Sequence, residues 1–544
     1  MNFRIPTSFA ASVLLASAAF SDDGHRHAQP VHGLSGLHHP ITTESPGAQR
    51  FFDQGLELAY GFNHAAAADA FREAVRLDPD CAMCHWGIAL VLGPNINGAM
   101  DPADNPEAFA SVQRARRLAA GVTRKERDTI DALAQRYEAE PPEDRSHLDK
   151  AYADAMRRVY TKYPADLDLA TLFAESLMDT TPWDYWTEDN EPRPVTSEFL
   201  AVLETVLRRE PGHTGANHYL IHAVEKVRPD LGLPAAARLE MLAQGAGHLV
   251  HMGSHIYIRV GQYHDASRVN QKAIEADERF LREHGSSAVY DTYRWHNHHF
   301  LTSSTSFEGR SELALATASD LRSRMDDERM RTPGFLTLQH YWATPYFVQV
   351  RFGQWEQILE EPQPAEDLVY PNALWRFARG MAHLRQGRAA AAVTELETLE
   401  SLARSPVLDE VTIWDLNTSR QIVDIAQLVL RGEIAAARGD LASAVSALEK
   451  GVELEAALNY DEPPPWQFPV RQNLGAVLLE AGEPEEAEAV YRADLEAFPW
   501  NGWSLRGLAR SLEDQGRAAE AAQAARDFAR AWQHADVTIE GSRF

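Results

Sequence analysis

An all-α solenoid of stacked helix-turn-helix units is the fold this sequence predicts, and three observations predict it. The first is composition: 544 residues, 44% hydrophobic, rich in Ala, Glu, Leu and Arg, with few β-branched runs. The second is size, since one compact core is unusual at this length, whereas stacked repeats bury a continuous core of any length. The third is a repeat of ~34 residues whose glycines, alanines and aromatics recur in register.

In chain order, residues 1–20 read as a secretory signal peptide. Arg4 gives the positive start, Phe9 to Phe20 a short apolar core, and Ala16-Ser17-Ala18 a small-residue cleavage site. The run is too short to span a bilayer, and no later stretch reaches ~18 uninterrupted apolar residues. A secreted or periplasmic chain without a membrane span is expected, its mature end near residues 19–22. No Cys lies near the cleavage site to carry a lipid. Residues 21–45 form a polar leader with His25, His27, His32, His38 and His39, expected to be solvated, with His38-His39-Pro40 folding onto the first repeat.

Repeats follow. Residues 46–210 make an N-terminal helical region, 211–365 a His-rich centre and 366–544 the C-terminal repeats. The clearest unit starts at Arg471, with Leu474-Gly475 in helix A, Gly482 in the turn, Ala487 and Tyr491 in helix B and a closing Pro499. This is the tetratricopeptide (TPR) pattern. Gly55, Phe71, Ala74 and Pro79 repeat it near the start, and Gly261, Gly309, Gly353, Gly387, Gly439 and Gly516 mark further turns.

Cys81 and Cys84, the only cysteines, stand in Cys81-Ala82-Met83-Cys84-His85. The spacing suits a disulfide, free thiols, or attachment of c-type haem with His85 as ligand. A disulfide is favoured, because the motif opens a repeat helix and Trp86 belongs in the core.

Histidine carries the functional signal. His218 and His222 are four apart, as are His251 and His255; His248 lies three before His251, and His296, His299 and His340 follow. Residues three or four apart share a helix face, so each group presents a stripe of imidazoles. TPR domains line their concave groove with helix A. Starts at Thr214, Gly247, Trp295 and Gln339 place these eight histidines at groove positions of four successive repeats, with Glu225 and Arg259 beside them. The segment from Val227 to Pro234 reads as an extended loop. All-imidazole ligation suits copper, iron or zinc and disfavours calcium or magnesium. Six or more histidines exceed one tetrahedral site, so a dinuclear centre is an option. Glu225 is the candidate general base, and Tyr257 and Arg259 the candidate substrate-orienting groups.

Two aromatic segments, Asp179 to Trp186 and Tyr460 to Trp466, read as loops packed over the solenoid or able to lid the groove, with Glu462 the residue to test. A net charge of -27 makes the chain a poor partner for nucleic acid or anionic membranes.

Several motifs resemble one exported bacterial family of TPR proteins, some loosely labelled as linked to TonB-dependent uptake. They are Phe51-Phe52-Asp53-Gln54-Gly55-Leu56, Asn217-His218-Tyr219-Leu220-Ile221-His222-Ala223, Gly247-His248-Leu249-Val250-His251-Met252, Ser254-His255-Ile256-Tyr257, Glu462-Pro463-Pro464-Pro465-Trp466 and Asn501-Gly502-Trp503-Ser504-Leu505. Gly253 stands where similar sequences carry Pro. The resemblance covers nearly the whole mature chain and implies fold and export, with no settled activity. From the residues, a metal-dependent enzyme is expected, an oxidoreductase before a hydrolase, with a small molecule or peptide in the groove. The alternatives are a non-catalytic scaffold for a peptide or protein partner and a metal-handling protein.

Overall fold

The computed structural model describes residues 28–285 and 288–544; the expected signal peptide and the leader as far as His27 lie outside them. The described chain is helical almost throughout, most helices packing on the next in sequence, with a two-stranded ribbon of Thr412–Ile413 and Asn417–Thr418. Two compact units result. The first contains residues up to Ile256 with Gln271–Arg294, and the second Tyr257–Asn270 with Trp295–Phe544. Both are stacks of helix-turn-helix repeats, the all-α TPR solenoid class.

The repeat chemistry is steric. In the first unit, a Cβ on Gly55 or Gly87 would lie 2.8 or 2.3 Å from the Phe71 ring, so Phe71 wedges into the crossing of three helices only because both positions are glycine. The second unit repeats this with Tyr491 between Gly475 and Gly507, at 2.5 and 2.2 Å. A side chain that large closes the gap between neighbouring helix pairs, and close-packed interiors leave no slack for an extra carbon. At the turns, Gly261, Gly309 and Gly353 adopt φ of 78°, 77° and 64°, as the turn register requires.

Helix starts follow the register in two of four places. The helix Thr214–Val224 begins at the expected residue, and Gly247–His251 does too. Leu338–Arg351 begins one residue early, and Ala288–Phe307 seven residues before Trp295. The expected loop from Val227 to Pro234 is mostly helix, Pro229–Leu242. Pro229 opens it, where the missing N–H has no intrahelical partner to lose, and Pro234 sits in the second turn. The central helix A of the His-rich region is split, Gly247–His251 being followed by Gly253–Arg259.

From residue 28 the leader is a strap on the first unit: His38-His39-Pro40 folds onto the first repeat as expected, the His39 N–H reaching Asp53 Oδ1 (3.0 Å), while His25 and His27, expected to be solvated, lie outside the described residues. Val31 donates its N–H to Gln54 Oε1 (2.9 Å), the Gly245 N–H reaches the Gly33 carbonyl (2.8 Å), and Thr42 gives both N–H and hydroxyl to Glu126 (2.6 Å each). His39 is buried with Nδ1 2.8 Å from Asp168. These polar groups of the strap find partners on helices and on the turn at Gly245, which a composition-based reading cannot see.

Candidate metal centre

Five of the eight histidines, together with Glu225, belong to the first unit: His218, His222, His248, His251 and His255. His213 caps the helix Thr214–Val224 by accepting the Ala216 N–H on Nδ1 (3.2 Å), which sets His218 and His222 one turn apart on its inner face. His248 comes from Gly247–His251, which enters at a residue where a Cβ would stand 1.8 Å from Asp277 Oδ1. Only glycine lets that helix start approach so closely.

Ring centroids of His218 lie 4.8 Å from His222 and 5.1 Å from His248, and His222 and His248 are 6.3 Å apart. One nitrogen from each can be chosen so that all three lie within 4.8 Å of one another. All three residues are buried, where an open concave wall had been expected. His218 Nδ1–H donates to the Tyr60 carbonyl at 2.5 Å, which fixes the tautomer and turns the Nε2 lone pair inward. That Nε2 has no hydrogen-bond partner, nor has Nε2 of His222 or either ring nitrogen of His248. Burying an unpaired polar group costs about 1–3 kcal/mol, so three such rings together call for a ligand.

Electrostatics keep these rings neutral. Burial, then the charge of His222, pushes His218 well below the usual histidine range; burial and then His218 do the same to His248. Burial also lowers His222, against the pull of Glu225. Neutral imidazole is the form that ligates a metal. Burial alone would raise Glu225, but the His255 charge and contacts with both histidines hold it down to about 2. Its Oε1 lies 3.6 Å from His222 Nδ1 and its Oε2 3.0 Å from His255 Nδ1. Glu225, expected as a general base, therefore stands as the carboxylate between two imidazoles. Nε2 of His255 and Nε2 of His251 are 3.0 Å apart, and Ser254 Oγ is 3.2 Å from His251 Nδ1.

Aromatic rings enclose the three imidazoles. Phe62 lies 4.6, 5.9 and 6.1 Å from His218, His222 and His248, Trp183 is edge-on to His222 at 5.2 Å, and Tyr293 is 4.4 Å from His248. Phe62 sits at φ 54°, a left-handed conformation uncommon for an aromatic residue. The sequence signal was present but unread, because the first repeat turn carries its glycine at Gly61 and puts Phe62 in the place glycine usually fills. The Trp-rich loop packs onto the same helix. Trp186 Nε1 donates to the Ala223 carbonyl (2.8 Å), and Arg136 ties Asp179 at the loop's start (2.6 Å).

The other predicted residues belong to the second unit. There His299 and His340 meet edge-on at 5.3 Å, with His340 Nδ1 2.8 Å from the Tyr370 hydroxyl and Gln467 Nε2 2.5 Å from His299 Nε2. Burial lowers His340 to about 3. His296 packs on Phe300 at 5.0 Å. Tyr257 is buried, and Arg259 Nε lies 3.5 Å from Glu462, its guanidinium 5.6 Å from the Tyr460 ring. Glu462, on its proline-stiffened linker, is buried.

Cys81 and Cys84 are joined in a disulfide, which leaves neither sulfur for a thioether to haem. His85 instead places Nε2 3.1 Å from the Pro79 carbonyl. The c-type haem reading is withdrawn.

No family model matches the chain, and no curated protein does. Among solved structures, the human IFIT1 dimer with m7Gppp-AAAA is 11% identical, aligned over 90% of this chain and 91% of that one with a TM-score of 0.29. The TPR domain of P58(IPK) is 13% identical over 87% of this chain and 99% of its own, with a TM-score of 0.23. Likenesses this distant bear on no site or partner. Among the described residues, no helix is long and apolar enough to cross a membrane.

Proposed function

We propose that the first unit holds a transition-metal ion on His218, His222 and His248, and that the chain is an exported metal-dependent enzyme, an oxidoreductase before a hydrolase. One observation carries the reading: three buried, neutral imidazoles, each with an unpaired nitrogen, can offer one nitrogen apiece within 4.8 Å of one another. Ligands at ~2.0–2.1 Å on a tetrahedral ion stand roughly 3.4 Å apart, so binding draws the rings together by up to about 1.4 Å, a side-chain adjustment. Nitrogen donors without a hard oxygen cage favour copper, iron or zinc.

Three protein ligands leave a coordination position open, the arrangement of catalytic rather than structural sites. Copper or iron would bring electron transfer there, and zinc Lewis acidity. The chain's own residues contribute orientation and dryness. The Tyr60 carbonyl holds the His218 tautomer, Glu225 stands beside Nδ1 of His222, and Phe62 and Trp183 flank the rings. A small molecule is the favoured substrate class. The signal-like N-terminus and the resemblance to exported TPR proteins support the compartment.

The test is elemental analysis of the purified mature protein before and after a chelator, followed by assays with and without restored metal. Stoichiometric metal, with turnover that the chelator abolishes and metal restores, is expected. Metal without turnover reduces the protein to metal handling. Protein or peptide capture that survives the chelator, with no metal bound, leaves only a scaffold.

A further inference from the structure

We propose that the first unit binds a second metal ion, on Nε2 of His251 and Nε2 of His255, making the centre dinuclear. This rests on the three-imidazole reading above and adds to it a separate pair of ligands.

The two nitrogens lie 3.0 Å apart. Two imidazoles on one ion at ~2.0–2.1 Å, at angles between 90° and tetrahedral, hold their nitrogens about 2.9–3.4 Å apart. The pair is therefore at chelating distance already, whereas the triad must contract. Its spacing along the chain is four residues, one helical turn, so both rings leave the same face and converge. Met252, between the two helical segments, keeps helical φ and ψ of -53° and -29°, so the turn from His251 to His255 is unbroken.

The surroundings orient the pair. His255 turns Nδ1 toward Glu225 Oε2 at 3.0 Å, so its other nitrogen is the one presented to His251. His251 turns Nδ1 toward Ser254 Oγ at 3.2 Å and does the same. A carboxylate or hydroxyl on the far nitrogen is the usual outer partner of a metal-bound histidine. Glu225 also stands 3.6 Å from His222 of the triad, so one carboxylate lies behind a ligand of each ion. The rings of His222 and His255 are 5.9 Å apart, and those of His248 and His251 6.1 Å, which makes the two ions neighbours. Two adjacent ions clamp the attacking and leaving atoms of a reaction or share the electrons of one substrate. That separates this centre from a single-ion storage site.

The experiment loads metal-stripped protein with Cu(II) alone, removes loose ions by gel filtration, and measures copper per chain together with the EPR spin count. Wild type is expected to retain two ions with a spin count well below two, because neighbouring Cu(II) ions couple. The double variant H251A/H255A should retain one ion with a full single-ion signal. Wild-type protein with one ion, lost in H218A but kept in H251A/H255A, overturns the second site and leaves the triad standing. Two ions of full, uncoupled spin, both kept in H251A/H255A, overturn it as well, placing the extra copper on some other of the chain's 22 histidines. Wild-type protein with no ion sinks both readings. Should the double variant fail to fold, the wild-type stoichiometry and spin count decide alone.

Discussion

Replacing His218 by Leu separates a metal ligand from a structural histidine, because the two roles predict different changes in stability. Leucine approximates the imidazole in size and sits well among Phe62 and Tyr219, whose rings lie 4.6 and 5.5 Å from His218. It leaves the buried Tyr60 carbonyl without its Nδ1–H donor, at about 1–3 kcal/mol. It also removes the unpaired Nε2, whose burial costs about 1–3 kcal/mol. The two terms offset, so the metal-free variant should lie within about 2 kcal/mol of wild type. At about 2–4 °C per kcal/mol for a domain of this size, the melting temperature should shift by no more than roughly 8 °C. Metal-loaded protein should lose more. An ion at 1,000 times its dissociation constant stabilises the folded state by about 4 kcal/mol, and losing one of three ligands should weaken binding by two to three orders of magnitude, erasing most of that gain. Calorimetry on metal-free and metal-loaded samples of both proteins is the assay. H534A, whose ring stacks on His264 in the second unit, serves as control and should match wild type in metal content. A His218→Leu protein that melts more than roughly 8 °C below wild type without metal, and loses no further stability relative to wild type when metal is added, would show that the imidazole is part of the packing, and the ligand argument would fail with it.

Three further outcomes are expected. Phe71→Ala should cost about 3–5 kcal/mol, since the wedge between Gly55 and Gly87 is emptied and neither glycine can fill it; a loss below 1 kcal/mol by thermal melting would contradict the packing. The strap should loosen at alkaline pH. Burial lowers His39, but its hydrogen bond and ion pair with Asp168 outweigh that and leave it above 6.5, so the stabilisation is complete below 6.5 and fades as pH rises through the folded value. Protection of the amides of residues 28–45, taken relative to their intrinsic base-catalysed exchange rates, should fall there in wild type and stay level with pH in His39→Gln; identical profiles would refute the clasp. The exported protein should begin near residues 19–22, and N-terminal sequencing that found Met1 on exported material would end that proposal.

Much of the fold was legible in the chain because TPR packing is local. Gly475, Tyr491 and Gly507 recur at repeat spacing, and each meets its partner in the adjacent helix, so periodicity alone announces the contact. The histidine pairs were legible for the same reason, since His218 and His222, or His251 and His255, share a face through one helical turn. The Val227–Pro234 segment was misread because proline signals breaks in general, while tolerance of Pro234 in an early turn depends on its neighbours.

What the sequence determined by itself was therefore whatever is fixed within a turn or a repeat: the all-α class, the turn glycines and the stripes of imidazole. Tertiary structure alone decided which stripes meet, because that depends on contacts between residues far apart in the chain. The Tyr60 carbonyl fixes the tautomer of a histidine 158 residues away, His39 reaches Asp168 across 129 residues, and Phe62 covers three rings from a turn no periodicity marks. Burial, too, is a property of the assembled stack. The groove positions that sequence register exposes are enclosed by Phe62, Tyr293 and the Trp183 loop, and that enclosure makes the imidazoles neutral and leaves their nitrogens unpaired.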